Sequence, residues 1–380
     1  MSEAAENSKT DRIVELDGFR GVAILLVAVY RFGSIAFSEE LVGTLASKAI
    51  LLGAAGVDFF FVLSGFLITG ILLNAKSKSN KSYFADFYFR RILRIFPLYF
   101  GTLFVVLLLL PAVFDVRLVA DEVRGNPIHL WLFTTNLAIS WRNEWCYGSL
   151  NHLWSIAIEE QFYLIWPFLV YYTRRERLIQ VCLIAFFAFA GLRIGYSFLG
   201  IGDVSEKAFT LFRLDGLLLG AVACVVMRNI EVSAIICFRA RIGAVFTSVL
   251  FLLTLPLREN DYTVRYSLVA MVAAMWIVST LTSQYGSIER RLLRSRFLGS
   301  LGRYSYGMYI IQAPLICLLA PSFSPEIVSD ASGSKWIGAI VYFTVMFVAN
   351  YTLAVVSWHG FEAWFLKRPP EIQIKTDAHG

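Results

Sequence analysis

The chain has 380 residues, 57% hydrophobic and only 16% charged, with a mean hydropathy of +0.64 and a formal net charge of +6. A soluble domain is typically about 45–50% apolar and about 25% charged. This composition therefore excludes a soluble globular fold, and apolar blocks of roughly 18–25 residues point to an all-α, multi-pass membrane protein.

Positions 1–14 form a polar tail with no cleavable signal ahead of the first apolar block, so that block is expected to direct insertion. About ten spans are predicted, near 17–37, 50–74, 92–114, 150–172, 178–198, 210–228, 240–257, 266–283, 299–320 and 336–357. An apolar piece at 128–140 is too short to cross and reads as a re-entrant or interfacial segment. One transmembrane domain thus fills 15–366, and 367–380 is a second polar tail.

Charge alternates from loop to loop. Loop 75–91 carries Lys76, Lys78, Lys81, Arg90 and Arg91, and loops 173–177, 229–241 and 284–298 are also basic, whereas 199–209 and 258–265 mix signs. The positive-inside rule puts the basic loops, and with them both termini, in the cytoplasm. The basic excess is thereby topological, and no nucleic-acid partner is implied. Five single cysteines, with no CxxC or other metal spacing, read as small buried hydrophobes.

Charged residues inside spans are costly and mark function by default. The first span, "GFRGVAILLVAVYRFG", holds Arg20 near its cytoplasmic end and Arg31 about 16 Å further along the same helix face. Arg31 is too deep to snorkel and needs a partner or a wet cavity. Asp58 in the second span, Glu159 or Glu160 in the fourth and Gln312 in the ninth are expected at a similar depth. They form either one polar catalytic layer with Arg31 or a structural ion-pair cluster.

The third span opens with "FRRILRIFPLY". Arg90, Arg91 and Arg94 there, beside Arg20, suit either membrane anchoring or the recognition of phosphate, whose oxygens match guanidinium forks. Arg193, Arg213 and Asp215 lie just inside the outer face near His152. They are candidates to pair with one another as a lid or to bind a polar ligand arriving from outside.

Six blocks in order resemble the family 3 integral-membrane acyltransferases of bacteria: "ELDGFRGVAILLV", "GVDFFFVLSGFLITGILL", "FRRILRIFPLY", "HLWSIAIEEQFYLIWP", "FRLDGLLLGA" and "GRYSYGMYIIQAPL". The resemblance implies ten core helices in the bacterial cytoplasmic membrane. It also implies a cytoplasmic acyl-CoA donor, usually acetyl-CoA, no metal, and transfer to a hydroxyl of a cell-surface or lipid-linked carbohydrate. Residues at the positions of Arg20, Arg90, Arg91 and Arg94 are associated with the donor side, which agrees with the phosphate reading.

Two positions depart from the family pattern. The family's first span has an arginine, ten residues, then a histidine regarded as catalytic; here that place is held by Arg31, and a second common histidine is replaced by Gln312. A guanidinium stays protonated and cannot act as a base. Three accounts follow: another base such as Glu159, Glu160 or Asp58; Arg31 as an oxyanion stabiliser; or an impaired, catalytically silent donor- or glycan-binding homologue. A secondary transporter is the remaining rival, since mid-membrane charges also mark ion pathways.

Overall fold

The computed structural model describes residues 13–77, 79–200, 202–229, 233–254, 262–284 and 286–366. Both polar tails, apart from residues 13 and 14, lie outside the described residues, as do Lys78 and parts of the loops after 229 and 254. The described secondary structure is helical throughout.

Ten helices have fifteen residues or more: α1 (Val14–Ala28), α2 (Gly56–Ala75), α3 (Asn80–Phe104), α4 (Trp154–Tyr172), α5 (Arg175–Phe198), α6 (Thr210–Asn229), α7 (Ala234–Leu253), α8 (Tyr262–Thr282), α9 (Arg296–Leu319) and α10 (Lys335–Ser357). Eight stretches among the described residues are long and apolar enough to cross a membrane, and they contain every one of these helices except α4 and α9. Those two are less apolar because of Glu159, Glu160 and Gln161, half-buried in α4, and Ser305, Tyr309 and Gln312, buried in α9. Ten spans are expected, and eight described stretches are long and apolar enough to cross; α4 and α9 are long helices that fall short in apolarity. The segment near 128–140 is a pair of short helices, Ile128–Trp131 and Thr135–Arg142, neither long enough to cross.

Close packing of the central helices depends on glycine. A Cβ on Gly302 of α9 would sit 1.9 Å from the Asp17 carbonyl oxygen of α1, and one on Gly21 would sit 2.2 Å from the Leu298 carbonyl oxygen. Gly65 of α2 and Gly220 of α6 meet each other's helices in the same way, at 1.9 and 2.0 Å. Small residues at such crossings let backbones approach where lipid removes any hydrophobic drive to associate. At the far end of α4, Lys76 Nζ donates to the carbonyls of Val170 (3.0 Å) and Thr173 (2.6 Å), satisfying oxygens that the helix end leaves open.

The first helix does not run straight into its last turn. Val29–Gly33 forms a π turn before Ser34–Ala36, and Arg31 sits inside it. Such one-turn π segments widen the helix and recur at functional positions.

Candidate active site

α1, α2, α3, α4 and α9 enclose a cavity of about 100 Å³. Ser155, Glu159 and Tyr163 line it from α4; spaced four apart, they fall on one face of that helix. Arg20 enters from α1, and Arg91 and Arg94 from α3.

At the arginine end, Arg20 Nη1 donates to Asp17 Oδ1 at 3.2 Å. Among the described residues neither Arg91 nor Arg94 makes an ion pair, and the buried Nε of Arg91 has no hydrogen-bond partner. The Arg91 guanidinium instead lies 5.9 Å from the ring centroids of both Phe87 and Tyr163. Charges taken out of water are ordinarily paired, so this half-buried end of the cavity carries positive charge that the protein leaves open.

Further in, Glu159 Oε1 accepts from Ser64 Oγ at 2.9 Å. The Tyr163 hydroxyl lies 3.0 Å from Glu159 Oε2 and 3.0 Å from Ser64 Oγ. At the other end, Ser155 Oγ and the Tyr309 hydroxyl are 2.6 Å apart, and Tyr309 donates to the His152 carbonyl at 3.0 Å.

Of the residues proposed from sequence, Arg20, Arg91, Arg94 and Glu159 line this cavity together. The rest do not. Arg90 is exposed and does not line the cavity. Glu160, one position round the helix from Glu159, has a buried Oε1 without a partner and lies outside the lining.

The single polar layer around Arg31 is not found. Asp58 is taken by Arg213, at 2.6 Å, and Arg193 pairs with Asp215 at 2.9 Å. Arg193 also donates to the Thr263 carbonyl (2.9 Å) and Ser267 Oγ (2.7 Å), so these four charges form a packed network among α2, α5, α6 and α8. Asp58 is a counter-ion there, not a cavity base. Of the three groups proposed as a lid or a ligand site, Arg193 and Asp215 pair with each other, whereas Arg213 pairs with Asp58.

Arg31 makes no ion pair among the described residues; its guanidinium lies 5.5 Å from the ring of its neighbour Tyr30. Arg31 itself lies outside the cavity lining. His152 is buried with Nδ1 and Nε2 each 3.1 Å from a carbonyl, of Ser149 and Ile310. Gln312 is fully buried: Nε2 donates to the Tyr309 carbonyl at 3.1 Å and Oε1 has no partner. Both histidine and glutamine therefore stand behind the cavity wall.

Sequence reasoning missed Ser64, Ser155, Tyr163 and Tyr309. They carry no charge, so a search for expensive residues in spans passes over them. Their signal was positional: Ser155 and Tyr163 flank Glu159 at i−4 and i+4.

A family profile described as "Acyltransferase domain" matches residues 13–359, nearly the whole described chain. The protein belongs to this acyltransferase family. It is 27% identical over 328 residues to O-acetyltransferase OatA of Staphylococcus aureus (strain NCTC 8325 / PS 47), covering 79% of this chain and 50% of the relative. It is 27% identical over 326 residues to peptidoglycan O-acetyltransferase OatA of Listeria monocytogenes (serovar 1/2a, strain ATCC BAA-679 / EGD-e), covering 81% of this chain and 50% of the relative. The chain thus spans about half the length of these curated relatives. No solved structure matches it.

Proposed function

We propose that this membrane protein is an O-acetyltransferase that takes its acyl group from an acyl-CoA, entering at the arginine end of the cavity, and passes it to a carbohydrate hydroxyl. The observation that carries the donor assignment is the open charge of Arg91 and Arg94 beside Arg20. Coenzyme A presents a pyrophosphate and a ribose phosphate, and guanidinium groups bind such oxygens through paired N–H donors. The carbohydrate acceptor is supported by the peptidoglycan named for the Listeria relative.

In the reaction, the acceptor oxygen attacks the thioester carbonyl, the C–O bond forms, the C–S bond breaks, and the thiolate leaves. The hydroxyl proton must go to a base. Glu159 is the carboxylate on the cavity wall, and Ser64 and Tyr163 hold both of its oxygens in place. Ser155 and Tyr309 carry hydroxyls at the far end, and turning either O–H from its present acceptor toward the cavity would supply a donor for the oxyanion of the tetrahedral intermediate. Arg31, which stays protonated and lies outside the cavity lining, is not the proton acceptor.

Replacing Glu159 by Gln keeps the shape and removes the base. Acetyl transfer from acetyl-CoA should fall by about 10²–10⁴-fold, the usual contribution of a general base, with acetyl-CoA binding retained. Transfer at the parent rate in Glu159→Gln would remove Glu159 from the mechanism.

A further inference from the structure

Three tryptophans lie in the segment that leads into α4, at the end of the cavity away from Arg91 and Arg94, and they are placed in two different ways. Trp141 is 92% exposed. Trp145 is 38% exposed, and its ring folds back to 6.3 Å from that of Trp154. Trp154 in turn stands edge-on to Phe61, with ring centroids 6.2 Å apart, and Phe61 lines the cavity. Trp145, Trp154 and Phe61 thereby make an aromatic ladder from the surface to the cavity wall.

Arg213 stands beside this ladder. Its guanidinium carbon is 5.5 Å from the Trp154 ring and 5.8 Å from Phe61, and it stacks at 3.6 Å on Tyr266. The side chain is 2% exposed. Nη2 donates to Asp58, whereas Nε and Nη1 are buried without a hydrogen-bond partner. Nearly all buried polar groups in folded proteins are satisfied, so two open N–H groups on one buried guanidinium call for an occupant.

Tryptophans that only anchor a protein at the membrane interface present their rings to the lipid headgroups. Trp141 fits that use. Trp145 does not, because its ring packs on Trp154, which packs against a cation with open donors. A flat apolar face next to a few convergent hydrogen-bond donors is the usual make-up of a small-molecule site. Sugars match it, having C–H faces for the indoles and hydroxyl or acetamido oxygens for the guanidinium.

We infer that Trp145, Trp154 and Arg213 form the acceptor entrance, where a carbohydrate stacks on the two indoles and hydrogen-bonds to Nε and Nη1 of Arg213 as it approaches the Ser155–Tyr309 end of the cavity. This deepens the acyl-transfer reading and rests on it for the word acceptor, but sugar binding itself is separable from transfer.

The probe is the β-1,4-linked tetramer of N-acetylglucosamine, measured by equilibrium dialysis against the purified full chain with no donor present. Trp145→Ala should weaken its binding about three- to tenfold, the scale of one aromatic contact. Trp145→Phe should keep most of the affinity, Trp141→Ala all of it, and acetyl-CoA binding should be unchanged in every variant. A parent protein that does not bind the tetramer, or equal losses in Trp145→Ala and Trp141→Ala, would overturn the entrance. Tetramer binding that depends on Trp145 in a protein unable to transfer acetyl groups would support the entrance and count against the acyl-transfer reading instead.

Discussion

Two groups of arginines in this bundle, one buried and one half-buried, are provisioned in opposite ways. Arg193 and Arg213 each have a carboxylate within 2.9 Å, and Arg193 adds carbonyl and hydroxyl acceptors until its fork is filled. Arg91 and Arg94 line a cavity and have no carboxylate partner among the described residues. Helix α2 contributes to both regions: Asp58 faces the paired group, and Ser64, six residues on, faces the open one. Matched charges tie helices together inside the protein, and the open ones are the seat proposed for the donor. Arg213 lies between the two cases, with its charge neutralised but two donors unfilled.

The largest effect is expected in the matched region. Asp58→Ala leaves the Arg213 cation buried and unpaired, and breaking such a pair costs about 3–5 kcal/mol. The variant should lose most of its folded yield, seen as aggregation on size-exclusion chromatography in detergent. Adding Arg213→Leu should recover part of it, because the stranded charge goes too. A folded single variant as heat-stable as the parent would show that the pair is not what locks α2 to α6.

The matched and open regions were not equally legible from sequence. Hydropathy located the helices, and the price of a charge in lipid found Arg20, Arg91, Arg94 and Glu159. Counting rise per residue groups Asp58 and Glu159 by expected depth, but depth says nothing of the direction a side chain faces. Asp58 points to α6 and Glu159 to the cavity, so the layer imagined around Arg31 divides in two. The choice between Glu159 and Glu160 had the same origin, being a matter of about 100° round one helix. Ser64, Tyr163, Ser155 and Tyr309 were hidden for a different reason: neutral hydroxyls cost too little in a span to stand out.

Arg31 sharpens the comparison from the side of catalysis. As a fixed charge outside the cavity lining, it should tolerate Arg31→Lys, while Arg31→Ala should slow acetyl transfer roughly tenfold, less than the 10²–10³ typical of a direct oxyanion donor. Arg31→His provides the contrary outcome: a variant clearly faster than the parent would mean that the parent is an impaired enzyme lacking its base.

The smallest effect concerns an open group that lines no cavity. Asn350 in α10 is fully buried, and neither its Oδ1 nor its Nδ2 has a hydrogen-bond partner. Leucine of similar volume removes that unsatisfied amide, whose burial costs about 1–3 kcal/mol. Asn350→Leu should raise the melting temperature of the purified protein by a few degrees and leave acetyl-CoA binding alone. A drop in melting temperature would show that the amide is satisfied by bound water.

The central claim is that the unpaired guanidinium groups of the cavity hold the donor's phosphates, and acetyl-CoA binding to the Arg91→Ala, Arg94→Ala double variant tests it most directly. Each lost charge-assisted contact is worth about 1.5–3 kcal/mol, so affinity should fall by about 10²–10⁴-fold, with the melting temperature of the ligand-free protein within a few degrees of the parent. Parental affinity for acetyl-CoA in a folded double variant would contradict the account.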